Sequence, residues 1–279
     1  MATDNPHHVR PGDGPVSLSV TPESAGWQYL SFQVIELSAG DTFTHRVNDA
    51  ETALVPLSGG VGAVAGGDEF DLHRTSVFDQ MPHVLYTPPG TPMQMTAISD
   101  CSFAVGWAPA EGKYPTRLFT PTEMKSEVRG GGRSLRNVNH VLAPPLDAER
   151  LILYEVYVPR GMWSGWPPHC HDGFDGSPYL EETYYFRLDP PTGFCMHRNW
   201  RVDEPFDETM VCLDGETALV TKGYHSTAAA PGSHMFFLNY LAGELVDGER
   251  VTPPCFHPDH TWIEGNWDHN EWNLPVVSS

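Results

Sequence analysis

The sequence predicts an all-β protein built from two antiparallel β-barrels in tandem. Short apolar runs with two-residue alternation recur along the chain, Trp27–Leu37 and Leu151–Val158 among them. Glycine and proline number 26 each in 279 residues, so turns break those runs often. The two halves also share a plan. In each, an apolar strand leads to a glycine-containing turn, and a late Gly or Pro turn precedes a closing strand.

Composition narrows the function classes. Hydrophobic residues make up 40% of the chain, enough for a sizeable core. The formal net charge of −20 disfavours nucleic acid and anionic membranes as partners. A small acidic substrate stays open, since a few basic side chains focused in one pocket suffice to hold it. The opening MATDNPHHVRPGDG lacks the apolar core of a secretory signal, and no run of about 18 apolar residues marks a membrane span. The five cysteines, Cys101, Cys170, Cys195, Cys212 and Cys255, show neither zinc-knuckle nor Cys-x-x-Cys spacing. They read as reduced thiols of a cytoplasmic protein.

In chain order, residues 1–16 read as a loose polar arm. Residues 17–110 read as the first barrel. Its strands are expected at Trp27–Leu37, Ala53–Leu57, Val61–Ala65, Phe70–Thr75, Val84–Thr87, Pro92–Ile98 and Cys101–Trp107. Turns are expected at Ser38–Asp41, Ser58–Gly60 and Thr87–Thr91. Residues 111–149 are polar and poorly periodic, and read as a linker. Its RGGGRSLR stretch lacks the strand–loop–helix context of a phosphate cradle, but Arg133 or Arg136 is in reach of the second half. Residues 150–279 read as the second barrel and a tail. Trp262, Trp267 and Trp272 in that tail suggest a subunit contact and hence a homo-oligomer.

The chemistry concentrates in the second half. His169 and His171 are two residues apart, so on a strand both imidazoles face one way. Glu182 opens a strand-like run, Glu182–Leu188, and His225 follows another after a Gly turn. Three imidazoles and a carboxylate suit a divalent first-row ion. Cys170, between the two histidines, should face away. Residues 17–110 offer only His45, His73 and His83, read as structural or surface residues, so the first barrel is expected to lack a metal site.

The paired barrels with His-x-His, Glu and a distant His resemble the cupin superfamily. More narrowly, GMWSGWPPHCHD, YLEETYYFRLDPPTGF, LVTKGYHS and HPDHTWI resemble the 5-deoxy-glucuronate isomerase family of inositol catabolism, as does RGGGRSLRNVNHVL more loosely. The resemblance spans most of the chain and is most specific over residues 161–226. It implies a bicupin of two jelly-roll barrels. It also implies a zinc, manganese or iron ion held by His169, His171, Glu182 and His225. Glu182 is preferred to the adjacent Glu181 because the run E-T-Y-Y-F matches the cupin pattern. The chain departs from the family's usual residues at Cys170, Phe186 and Ser226, and His197 is a candidate to compensate for Phe186.

The implied reaction is an aldose–ketose isomerisation of 5-deoxy-glucuronate to 5-dehydro-2-deoxy-gluconate. It needs a Lewis acid at a carbonyl and a group that moves a proton between adjacent carbons. Glu155, inside an apolar strand, is the candidate base, and Tyr184 a hydrogen-bond donor to substrate oxygen. The substrate carboxylate needs a cation, for which Lys222, Arg187 and Arg198 are candidates. Strand parity sets Arg187 opposite Glu182, which favours Lys222 or a linker arginine. Two alternatives share the ligand set: an Fe(II) dioxygenase and a non-catalytic sugar-binding barrel.

Overall fold

The computed structural model describes residues 5–267. Its first half carries β1 (His8–Val9), β2 (Val16–Val20), β3 (Ser31–Leu37), β4 (Thr42–His45) and β5 (Ala50–Ala65). Then come β6 (Asp68–Arg74), β7 (Val84–Thr87), β8 (Met93–Ala97), β9 (Cys101–Pro109) and β10 (Arg117–Phe119). The second half carries β11 (Lys125–Arg129), β12 (Arg136–Leu142), β13 (Ile152–Val158), β14 (Trp163–Cys170), β15 (Leu180–Asp189) and β16 (Cys195–Trp200). It ends with β17 (Asp207–Cys212), β18 (Thr217–Val220), β19 (Tyr224–Ala229), β20 (His234–Gly243) and β21 (Cys255–Phe256). The helices are short, and none among the described residues is long and apolar enough to cross a membrane.

Three sheets result, with antiparallel pairing between neighbours. Nine strands, β2 to β10, form the sheet of the first half. In the second half a seven-stranded sheet, ordered β1-β18-β15-β20-β13-β12-β11, faces a five-stranded one, ordered β17-β16-β19-β14-β21. Between these two sheets lies an apolar core that includes Tyr184, Phe186, Met210 and Phe237. The other face of the seven-stranded sheet packs on the first half, where Phe32, Val55 and Ala104 meet Leu153, Phe236 and Tyr240. The Tyr240 hydroxyl donates to the Ala53 carbonyl at 3.1 Å. Gly106 is required by this approach, since a Cβ there would run into the Tyr240 ring.

Four sequence expectations change. The Ser58–Gly60 turn does not reverse the chain. β5 runs through it, pairing with β7 and β9 before a register shift at Pro56–Ser58 and with β6 and β8 after it. Gly59, at φ 78°, lets the strand bend there. The Trp27–Leu37 strand starts only at Ser31, because the backbone of Gln28–Leu30 is spent on another partner, described below. The segment read as a linker carries β10, β11 and β12, the last two adding to β13 as the edge of the seven-stranded sheet. β11, the outermost, is polar and largely exposed, which hid the alternation there. The arm is not loose either: β1 pairs with β18, His8 opposite Ala218, some 208 residues away from Glu216, its side-chain partner.

Candidate metal centre

β14 and β19 are neighbours in the five-stranded sheet, with His169 directly opposite His225. His171 lies just past the end of β14. Glu182 comes from the facing sheet, where it pairs with Val220 and Leu241. One nitrogen from each of His169, His171 and His225 falls within 4.8 Å of the others. Glu182 Oε2 is 2.9 Å from His171 Nε2 and 3.3 Å from His225 Nε2. On the far side of His171, Nδ1 lies 2.9 Å from the Leu180 carbonyl, a contact that fixes the ring and aims Nε2 inward. His225 is completely buried, and neither of its nitrogens has a hydrogen-bond partner of good geometry among the described residues. A buried imidazole left so is costly unless something else binds it. Three nitrogens in one cluster, with a carboxylate oxygen against two of them, are a donor set that suits a divalent first-row ion.

His169, His171 and Glu182 stand at the wall of a cavity of about 350 Å³, with His225 directly behind His169 on the neighbouring strand. Three residues in register across β13, β20 and β15, namely Tyr154, Asn239 and Tyr184, form one side of it. Arg129, from the edge strand β11, and Arg136, from β12 beside it, line the mouth. A second, larger groove outside it, lined by Trp163, Trp166, Trp262 and Trp267, runs beside the Gly131–Gly132 turn.

The KduI/IolB family model matches residues 5–263, nearly the whole described chain. This chain belongs to the KduI/IolB family. It is 38% identical over 266 residues to a 5-deoxy-glucuronate isomerase of Geobacillus kaustophilus, covering 92% of this chain and 94% of that one. It is 32% identical over 252 residues to the 5-deoxy-glucuronate isomerase of Bacillus subtilis, covering 88% and 91%. Among solved structures, an IolB-like protein of Salmonella typhimurium matches with a TM-score of 0.87 at 35% identity, covering 92% of this chain and 98% of that one. An oxalate decarboxylase of Lactobacillus farciminis matches with a TM-score of 0.60 at 12% identity over 88% and 89%, a likeness of fold alone.

Electrostatics in this KduI/IolB chain follow from burial and the cluster. Burial opposes ionisation of Glu182, but the hydrogen bond of His171 and the closeness of His225 prevail and hold its carboxyl below the usual range. His171 is raised: burial lowers it, and the Glu182 carboxylate more than compensates. His169 and His225 are lowered, chiefly by burial, so both stay neutral and able to donate a lone pair. Burial pushes the Tyr184 phenol well up, with Glu182 adding to it. Burial brings Arg136 down to about 10, helped by Arg129, and it stays charged at neutral pH.

The structure brings Tyr184 and Arg136 to the cavity and leaves other expected residues outside. Glu155 is on the opposite face of β13 from Tyr154. It is fully buried against Arg74, with oxygen–nitrogen distances of 2.6 and 2.9 Å. Lys222 is a surface residue paired with Glu204 at 2.7 Å. Arg187 pairs with Asp214, and Arg198 with Asp207, both away from the cavity. Arg133 lines the tryptophan groove instead. Glu181 faces the first half, where its carboxylate accepts the N–H groups of Gln28, Tyr29 and Leu30. Cys170 packs with Trp200 and Tyr224, away from the imidazoles. His197 lies behind Tyr184 with Nε2 2.9 Å from the Asn199 amide oxygen, so that nitrogen is spent within its own sheet. Tyr154, Asn239 and Arg129 were missed; the alternation Ile152–Tyr154–Val156 was the available signal for the first.

Proposed function

We propose that this chain is a 5-deoxy-glucuronate isomerase, converting that aldose to 5-dehydro-2-deoxy-gluconate with the help of a divalent ion held by His169, His171, Glu182 and His225. The observation that carries the reading is the convergence of three imidazoles and Glu182 on a cavity that also holds Arg136. Family membership and the relatives' names supply the reaction. The cavity has the size of a small-molecule site. We also infer that the two halves are cupin-type barrels packed through the seven-stranded sheet, and that the enzyme works in the cytoplasm.

When bound, the ion supplies Lewis-acid polarisation of a substrate carbonyl. The protein's own residues do the rest. Arg136 donates to the Ser134 carbonyl through Nη1 at 3.2 Å. A guanidinium has five N–H donors in a planar fork, so others are free for the substrate carboxylate. The positive charge of Arg136 at the mouth of a cavity in a strongly acidic chain favours an anionic sugar at this point, while Arg129 beside it is paired with Glu127 at 2.6 Å. The Tyr184 phenol, pushed up by burial, keeps its proton and donates a hydrogen bond to a substrate oxygen. The apolar floor of Val138, Val156 and Phe237 excludes water beneath the reacting carbons.

Carbon NMR of the purified protein with 5-deoxy-glucuronate tests the reaction, with an aldose that carries a hydroxymethyl group in place of the carboxylate as control. Ketone formation from the acid and none from the control is expected. Equal turnover of both removes the carboxylate role of Arg136, and no turnover of either removes the isomerase reading.

A further inference from the structure

A second cluster of metal-ligand type lies at the seam where β18 of one sheet meets β17 of the other. His8, on β1, is opposite Ala218 and so shares the face of β18 that looks into the barrel. One donor atom from each of His8, Cys212 and Glu216 falls within 4.8 Å of the others. His8 Nε2 is 2.7 Å from Glu216 Oε2, and the two side chains are only 6% and 8% exposed. Glu216 Oε2 also accepts the Leu213 N–H at 2.8 Å, which fixes the carboxylate, while Arg10 Nε stands 3.5 Å from the other oxygen. Cys195 lies directly across the β16–β17 ladder from Cys212, and its thiol donates to the Cys212 carbonyl at 3.6 Å. Both thiols are fully buried.

We propose that His8, Cys212 and Glu216 form a second metal site for a thiophilic divalent ion of the zinc class, with the Cys195 thiol packed beside it on the Cys212 carbonyl. Sulfur, imidazole and carboxylate together are a zinc donor set, whereas the first cluster contains no sulfur. Binding displaces the Cys212 thiol proton to solvent, as thiolate coordination requires. The consequence is architectural. His8 is the cluster's one ligand from the N-terminal segment, so the ion fastens that segment to the barrel that holds the candidate active site.

Cobalt(II) added to the chelated full-length protein separates the two clusters, because thiolate coordination gives an intense near-ultraviolet charge-transfer band and a histidine–carboxylate site does not. The band is expected in the wild type and in His171→Ala, and is expected to vanish in Cys212→Ser. Should Cys212→Ser fail to fold by circular dichroism, His8→Gln, on the two-residue strand β1, leaves the buried thiols in place. In His8→Gln the cobalt affinity read from the band is expected to fall roughly tenfold or more. A cobalt-saturated wild type without the band, a band that survives Cys212→Ser, or an unchanged affinity in His8→Gln overturns the site.

Discussion

Glu181 and Glu182 are adjacent carboxylates with opposite tasks, and strand parity assigns them. Glu182 faces the imidazoles, while Glu181 accepts three backbone N–H groups of the first half. Arg136 is the residue on which substrate choice is expected to turn. Arg136→Gln removes a charge-assisted contact worth about 2 kcal/mol, so KM should rise about 30-fold with a smaller change in kcat, as steady-state kinetics would show. An unchanged KM would place the carboxylate elsewhere. His45 gives a pH prediction. Burial lowers its pKa from 6.5 to about 4, and its ring packs 4.7 Å from that of Trp107. Between those values the unfolded chain binds a proton that the folded chain does not. Its contribution is therefore complete above about pH 6.5 and is lost as pH falls towards 4, up to roughly 3 kcal/mol. Urea unfolding at pH 7 and pH 4.5 should show a smaller pH difference in His45→Leu than in the wild type; equal differences would count against it.

At the scale of elements, β13 is buried on both faces: Tyr154 looks into the cavity, and Glu155 into the contact with the first half. Alternation in the sequence separates these two residues but does not say which face meets which partner. That is why Glu155 was legible as a carboxylate within an apolar strand and not as the buried mate of Arg74. Burial pushes the Glu155 carboxyl up and the Arg74 guanidinium opposes it. Removing one member leaves an uncompensated buried charge, so Arg74→Met should cost about 3–5 kcal/mol. Adding Glu155→Leu should return a large part of that loss in denaturant titrations, whereas strictly additive losses would mean that the pair is not coupled. The His-x-His and the Glu at the head of β15 were legible because each relies on a period of two within a single strand. Arg129 and Arg136 were less so, because β11, the edge strand, and β12 beside it carry polar residues that mask alternation.

Across the whole molecule, the all-β architecture and most strands of both halves were legible from the apolar runs and the turns between them. What was not legible were the contacts that span the chain. β1 crosses to β18, and a single long β5 serves both parts of the first sheet. Such pairings depend on three-dimensional closure rather than local pattern. Of the three tail tryptophans, Trp262 and Trp267 line the groove at Gly131–Gly132, and Trp272 lies outside the described residues. The central claim is that a divalent ion at His169, His171, Glu182 and His225 serves an isomerisation in the adjoining cavity. The most direct measurement is NMR of 5-deoxy-glucuronate in deuterated water, with metal content determined on the same samples of wild type, chelated wild type and His171→Ala. Ketone formation in the metal-loaded wild type, lost on chelation, restored by adding back a divalent ion and absent in folded His171→Ala, is the expected result. Undiminished conversion after chelation, with no metal left in the protein, would contradict it.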